Sequence, residues 1–191
     1  DPVNIEARHV KTYRSSDAES GFVSMELNNS MILLPKEPMK RRYFDERVGW
    51  FTTSQTDYGI DNQEAETVKY LDRWRLEVKD EDIEKFKAGE LVEPKNPIVF
   101  YIDPATPVKW RKYIKLGIED WQIAFEEAGF KNAILAKDPP TEEKNPDWSP
   151  EDVRYSVFRY LASETINANG GNVVDPRSGE IIEFSVNWYH L

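Results

Sequence analysis

Residues 96–130 read NPIVFYIDPATPVKWRKYIKLGIEDWQIAFEEAGF, and this stretch decides the fold. Ile98, Val99, Phe100, Tyr101 and Ile102 form an unbroken apolar, β-prone run behind Pro97, the pattern of a strand covered on both faces. The segment Asp103-Pro104-Ala105-Thr106-Pro107 then stops the strand. Thr106 suits a helix N-cap and Pro107 the first helical position, where its missing N–H costs nothing. Ile114, Ile118, Trp121, Phe125 and Ala128 recur at spacings of four and three and so share one face of a helix. Lys112, Lys115, Glu119, Gln122 and Glu126 fall largely on the other face. Gly129 suits the left-handed position after the last turn, and Phe130 a fold-back contact of the Schellman type. The spacing thus predicts one strand and one long helix of about 33 Å, at ~1.5 Å per residue.

Downstream, residues 133–136 suit a short strand and residues 138–151 a loop rich in Pro, Glu and Asp. Residues 153–161 alternate as a further strand, with Val153, Tyr155 and Val157 on one side and Arg154 and Ser156 on the other. A hairpin follows. Asn172-Val173-Val174 leads into Asp175-Pro176-Arg177-Ser178-Gly179, and Glu180-Ile181-Ile182 leads out. Pro after Asp sets the turn, and Gly179 supplies a positive φ.

Upstream, residues 1–90 read mostly as β. Val3, Ile5 and Ala7 begin a rough alternation over residues 3–13, and Val23, Met25 and Leu27 alternate within residues 22–34. Residues 48–58 and 68–78 supply two more strands, although Leu71, Trp74 and Val78 also fit helical spacing. Residues 79–89 suit a short helix capped by Asp80 or Asp82 and ended by Gly89. Glu93-Pro94-Lys95-Asn96-Pro97 reads as a linker. The division is therefore 1–93, a β-rich accessory region, and 94–191, a strand–helix–sheet unit, giving an α+β protein.

The 191 residues carry 35 acidic and 25 basic side chains, a net charge of −10. Phosphate binding needs a concentrated basic surface, so nucleic acid is not an expected partner. Lys40-Arg41-Arg42 is a short basic run beside Asp45-Glu46. No cysteine is present, which excludes disulfides, thiolate metal sites and thiol catalysis. No run approaches the ~18 apolar residues of a membrane-spanning helix. The chain opens at Asp1 and stops within the strand-like run 186–191, so a processed or excised piece is expected.

Chemical motifs are sparse. His9 and His190 are the only histidines, and neither H-E-x-x-H nor H-x-H occurs, so the chain shows no zinc motif of its own. An ordinary surface position is the plain reading of His9, and packing or hydrogen bonding that of His190. G-x-S-x-G, Walker A and G-x-G-x-x-G are absent, and Gly170-Gly171 is too little for a phosphate cradle. Asp57, Asp61 and Glu64 share a polar loop in which the calcium pattern of an EF-hand fails. Trp50, Trp74 and Trp148 suit either a core or a binding surface.

Three stretches, PIVFYIDPATPVKWRKYIKLGIEDWQIAFEEAGF, DVRYSVFRYL and GNVVDPRSGEII, together resemble a family of large bacterial zinc-dependent metalloproteases. Residues 31–59 and YLDRWRLE, at 70–77, resemble the domain of unknown function that precedes the catalytic domain in those proteins. Pro38, Arg41, Asp45, Arg47, Val48, Gly49 and Phe51 fill its most specific element. The resemblance implies that residues 94–191 are the N-terminal half of a metzincin-like domain, a mixed sheet backed by one long helix. It implies zinc in the parent protein, export from the cell, and a peptide or protein substrate. The rest of the catalytic domain, beyond Leu191, would be a further partner.

The zinc ligands and the glutamate base have no counterpart here, so no catalytic residue is assigned and the chain alone is expected to be inactive. What the resemblance does assign is a substrate-side edge strand, at Ala168, Asn169, Gly170, Gly171, Asn172, Val173 and Val174. An extended peptide would add to it through main-chain bonds. Closure of the sheet by the hairpin is the plain alternative. A non-catalytic module binding peptide, glycan or envelope protein, and a pro-segment-like role for residues 1–93, also stay open.

Overall fold

The structure, a computed structural model, describes residues 4–190. Val3 and Leu191, on which two of the readings above fall, lie outside the described residues. Among the described residues, nine strands, three α-helices and a 3-10 turn form an α+β protein that is mostly β.

Two separate antiparallel pairs come first. β1 (Asn4–Arg14) and β2 (Phe22–Ile32) form a ribbon of eleven paired positions, and β3 (Thr52–Asp57) pairs with β4 (Glu66–Leu71). Beyond Leu71 the chain stays extended, so the helical alternative for residues 68–78 does not form. Instead Arg73 bridges to Glu180 and Val78 to Pro94. A 3-10 turn at Asp80–Asp82 then leads into α1 (Ile83–Lys87), and Gly89 (φ +82°) ends it. Asp82 occupies the N-cap position of this helix but makes no side-chain capping bond; its carboxylate accepts from Lys85 Nζ instead, at 2.6 Å.

The second unit is a five-stranded sheet. β5 (Ile98–Ile102) lies beside β6 (Ile134–Lys137) and β7 (Ser156–Ala162), while β9 (Glu180–His190) joins β7 and carries β8 (Asn167–Asp175) on its outer side. The order is β6-β5-β7-β9-β8. All pairings are parallel except that of β8 with β9. Burial alternates along β5: Ile98, Phe100 and Ile102 are inside at 4%, 8% and 1% exposure. The alternating run expected from Val153 pairs only from Ser156. Before it, Asp152 accepts the amide of Arg154 on its side chain and that of Tyr155 on its carbonyl, which makes a turn.

The long helix is two helices. α2 (Val108–Glu119) and α3 (Gln122–Glu127) are separated at Asp120-Trp121. The inward seat expected for Trp121 is taken by Gln122, whose amide donates to Ile134 O at 2.7 Å and accepts from Ala133 N at 3.2 Å. Trp121 turns outward and is 64% exposed. Thr106 does not cap α2: Pro107 is the capping residue, and Asp103 organises the preceding turn by accepting the amides of Ala105 and Thr106. The C-terminal reading holds in detail. Gly129 (φ +92°) donates to Glu126 O, and Phe130 donates to Phe125 O, which is the Schellman pair of bonds.

Two apolar clusters hold the helices on the sheet. Ile98, Phe100 and Ile134 gather Ile118, Phe125, Phe184 and Val186, while Val92, Phe130 and Ala133 gather Phe86 and Val78. Trp74 and Leu76 also enter these clusters, so residues 74–78 supply packing to the unit that follows them. Among the described residues, no helix is long and apolar enough to cross a membrane.

Candidate functional site

The seven residues assigned to a substrate-side strand all lie on β8. They stand opposite β9 in register, from Ala168 facing Trp188 to Val174 facing Ile181. The register slips between Val173 and Val174, a bulge opposite Glu183 and Ile181. β8 is an outer strand of the sheet, and its residues from Asn167 to Val173 are exposed. Such a strand presents main-chain N–H and C=O groups to anything that approaches its edge. At ~3.4 Å per residue its nine residues extend about 30 Å.

Sequence explains why this edge is open. Ala168, Gly170 and Gly171 carry little or no side chain. At Gly170 there is also no room for one, because a Cβ would meet the Phe184 ring at 2.9 Å. Asn169 is held by Asn187, whose amide donates to its Oδ1 at 2.9 Å.

The two ends of β8 differ. Asn167 pairs with Tyr189, next to an aromatic cluster at the ends of β7 and β9. There Trp188 stacks on His190 at 5.1 Å, with Tyr160 and Trp110 edge-on. At the other end the chain turns through Asp175 and Ser178, both 0% exposed. Asp175 accepts the Arg177 amide at 2.9 Å and its Nε at 3.0 Å on Oδ1, and Nη2 at 2.7 Å on Oδ2. These bonds hold the Asp175 carboxyl below its ordinary range, with burial opposing them.

Close to the turn end lies Glu183, across from Val173 and only 8% exposed. Burial pushes its carboxyl above the usual range, against the lowering effect of the Ser185 hydroxyl that donates to it.

The other candidates do not converge on β8. His9 lies on β1, where its ring meets Asn29, and Asp57 accepts the Gly59 amide. Among the described residues, no group of three or more His, Cys, Asp or Glu stands placed to hold a metal ion. The basic run is used internally: Arg41 donates to Arg177 O and lies over Tyr70, and the carbonyls of Lys40 and Arg42 accept from Arg73 and Leu71. Trp74 and Trp148 pack against Phe100 and Tyr101, whereas Trp50 stays 51% exposed.

Two features escaped the sequence reading. One is the bidentate pair of Arg75 with Glu180, at 2.8 and 2.6 Å across 105 positions, for which no local signal exists. The other is a recurrent Asp-x-Arg ring at 45–47, 152–154 and 175–177, where the carboxylate takes both the amide and the guanidinium of the arginine. Its spacing is plain in the sequence and was the available signal.

Residues 2–79 match a domain of unknown function, DUF5117. This agrees with the expectation that a domain of unknown function occupies the upstream part. The DUF5117 match takes in β1 to β4 and the residues that meet the β8–β9 turn, including Arg41, Gln55, Leu71, Arg73 and Arg75. It spans less than half of the chain. No curated protein and no solved structure matches the sequence.

Proposed function

We propose that this chain is part of a zinc-dependent metalloendopeptidase, and that its own contribution is the β8 edge, which takes an extended peptide by strand addition. One observation carries the reading: β8 is an exposed, small-residue, antiparallel strand at the outer edge of an otherwise parallel sheet. The strand–helix opening and the DUF5117 match upstream support it, in line with the resemblance of residues 94–191 to a metzincin-like half-domain. The aromatic residues of β7 and β9 at the end of the sheet are only partly covered, which suits packing by the remainder of a catalytic domain.

The described residues offer no ligand set for zinc. When bound in the parent protein, it would polarise the peptide carbonyl and activate water. The role of β8 is to hold the substrate backbone extended beside that centre. Export from the cell follows from the same reading.

The test uses a capped, fluorescein-labelled peptide of alternating Val and Thr, N-methylated at every second amide in one of two registers. Strand addition needs the amides that face β8, so one register binds at least about tenfold more weakly than the other. Equal binding of both registers to residues 1–191 overturns the edge reading. Zinc-dependent hydrolysis by the parent protein, but not by residues 1–191, supports the peptidase reading; turnover by residues 1–191 alone overturns it.

The exposed group Tyr43, Val48, Trp50 and Phe51, at 65%, 50%, 51% and 82%, favours a second reading as a binding module. Loss of substrate attachment in Trp50→Ala and Phe51→Ala, with turnover of small peptides intact, would favour it.

A further inference from the structure

The β8–β9 turn is gripped from outside by the DUF5117 region. Arg73 N donates to Gly179 O at 2.8 Å, and Ile181 N donates to Arg73 O at 2.9 Å, so main chain joins main chain. Gly179 has φ +73° and seats so closely that a Cβ would lie 2.4 Å from Leu71 O. Side chains add a ring of bonds to carbonyls: Arg41 Nε to Arg177 O and Gln55 Nε2 to Pro176 O, each at 2.6 Å, and Arg177 Nη2 to Pro35 O at 2.6 Å. Glu180, 7% exposed, is neutralised by Arg75. These contacts all lie at the turn end. From Asn167 to Val173 the strand itself stays exposed.

We infer that residues 35–75 are a brace that fixes the β8–β9 turn and so sets the register of the free β8 edge, with Arg177 and Gln55 as positioning residues. This rests on the reading of β8 as the peptide edge. It differs from a pro-segment role: the brace holds the far end of the strand and leaves the edge open, so removing it loosens β8 and uncovers nothing. The physical ground is that a hairpin end held by main-chain bonds and a half-buried ion pair cannot slide past its partner strand. An ungripped edge strand opens locally at much lower cost.

Hydrogen exchange of the whole chain, read by mass spectrometry, tests the brace without any peptide. In Arg177→Ala the β8 amides bonded to β9 are expected to exchange about tenfold faster, while β5 and β7 change less than about twofold. Arg177→Lys keeps a donor for Pro35 O and recovers part of the protection. Gln55 is exposed, and Gln55→Ala removes a single bond, so it leaves the fold intact and still speeds β8 by about two- to threefold. In the peptide assay, Arg177→Ala is expected to erase the difference between the two N-methylated registers.

Unchanged β8 exchange in both Arg177→Ala and Gln55→Ala overturns the brace, and so does equal acceleration of β5 and β8. A chain that shows selective exchange yet binds no peptide sinks the peptide reading and leaves the brace standing. One that binds peptide with its register preference untouched by Arg177→Ala does the reverse.

Discussion

Among the described residues stand two long antiparallel hairpins, β1–β2 and β8–β9, and they are built to opposite ends. β1–β2 pairs eleven positions without a bulge, turns through Gly21, and leaves most of its residues exposed. Among the described residues its hydrogen bonds to the rest of the chain come from Asn4, which reaches Asp152 at 2.8 Å, and Asn28, which reaches the carbonyl of Glu151 at 3.4 Å. β8–β9 carries a bulge, yet β9 lies inside the sheet and the turn is seized by residues 35–75. Pairing of two strands is therefore not what fixes an edge in space. A two-stranded ribbon is marginal by itself, and position comes from what holds the turn and the inner strand.

Glycine offers the sharpest way to break this contrast. Gly21 and Gly179 share nearly the same φ, +71° and +73°, but a Cβ at Gly21 meets nothing within 4 Å while one at Gly179 meets Leu71 O at 2.4 Å. Gly179→Ala is expected to cost on the order of 3 kcal/mol and Gly21→Ala about 1 kcal/mol, as urea midpoints will show. Similar costs at both sites would mean the turn is not gripped.

Next comes Asp175→Asn, which keeps the Arg177 amide bond but loses the ionic ones, at about 2 kcal/mol near pH 7. Because the folded carboxyl titrates below its ordinary range, its contribution is complete above about pH 4 and drains as pH falls through the folded value. The difference between native chain and variant should therefore close in acid. A constant difference down to pH 2 would exclude this pair as its source.

Glu183 has the opposite sign. Its raised carboxyl favours the native state below about pH 4, and that benefit is lost as pH rises through the folded value. Glu183→Gln should stabilise by about 1 kcal/mol at pH 7, or about 2–4 °C in Tm, and by nothing near pH 4. The smallest effect is expected on the ribbon. Met25 is 48% exposed opposite Lys11, and Met25→Thr should stay within about 0.5 kcal/mol. A loss of 2 kcal/mol there would show that the ribbon is packed after all.

Legibility followed the range of the forces involved. The buried strand at 98–102, the Schellman end at Gly129 and the hairpin turn with its positive φ at Gly179 rest on neighbours in sequence, and each was readable from residue type and spacing. The helix break was not, because Gln122 gains its inward seat from Ala133 and Ile134, whose main-chain groups need a partner there. Trp121 obeyed helical spacing and lost to that bond. Likewise residues 172–174 were visible as the strand entering the hairpin and the resemblance extended it to 168–174, while its anchorage by Pro35, Arg41, Gln55 and Arg75 depends on contacts more than a hundred positions away.

One detail of strand order has a consequence for how the chain is made. Among the described strands β9 comes last, yet it sits between β7 and β8. On the ribosome β7 must wait with an open flank until residues 180–190 have emerged. The β8–β9 hairpin can close on itself within microseconds and then slot in as a unit, with the residues gripping its turn already synthesised. Until that insertion, the flank of β7 is a template for any passing strand, and crowding at that moment is when aggregation threatens most.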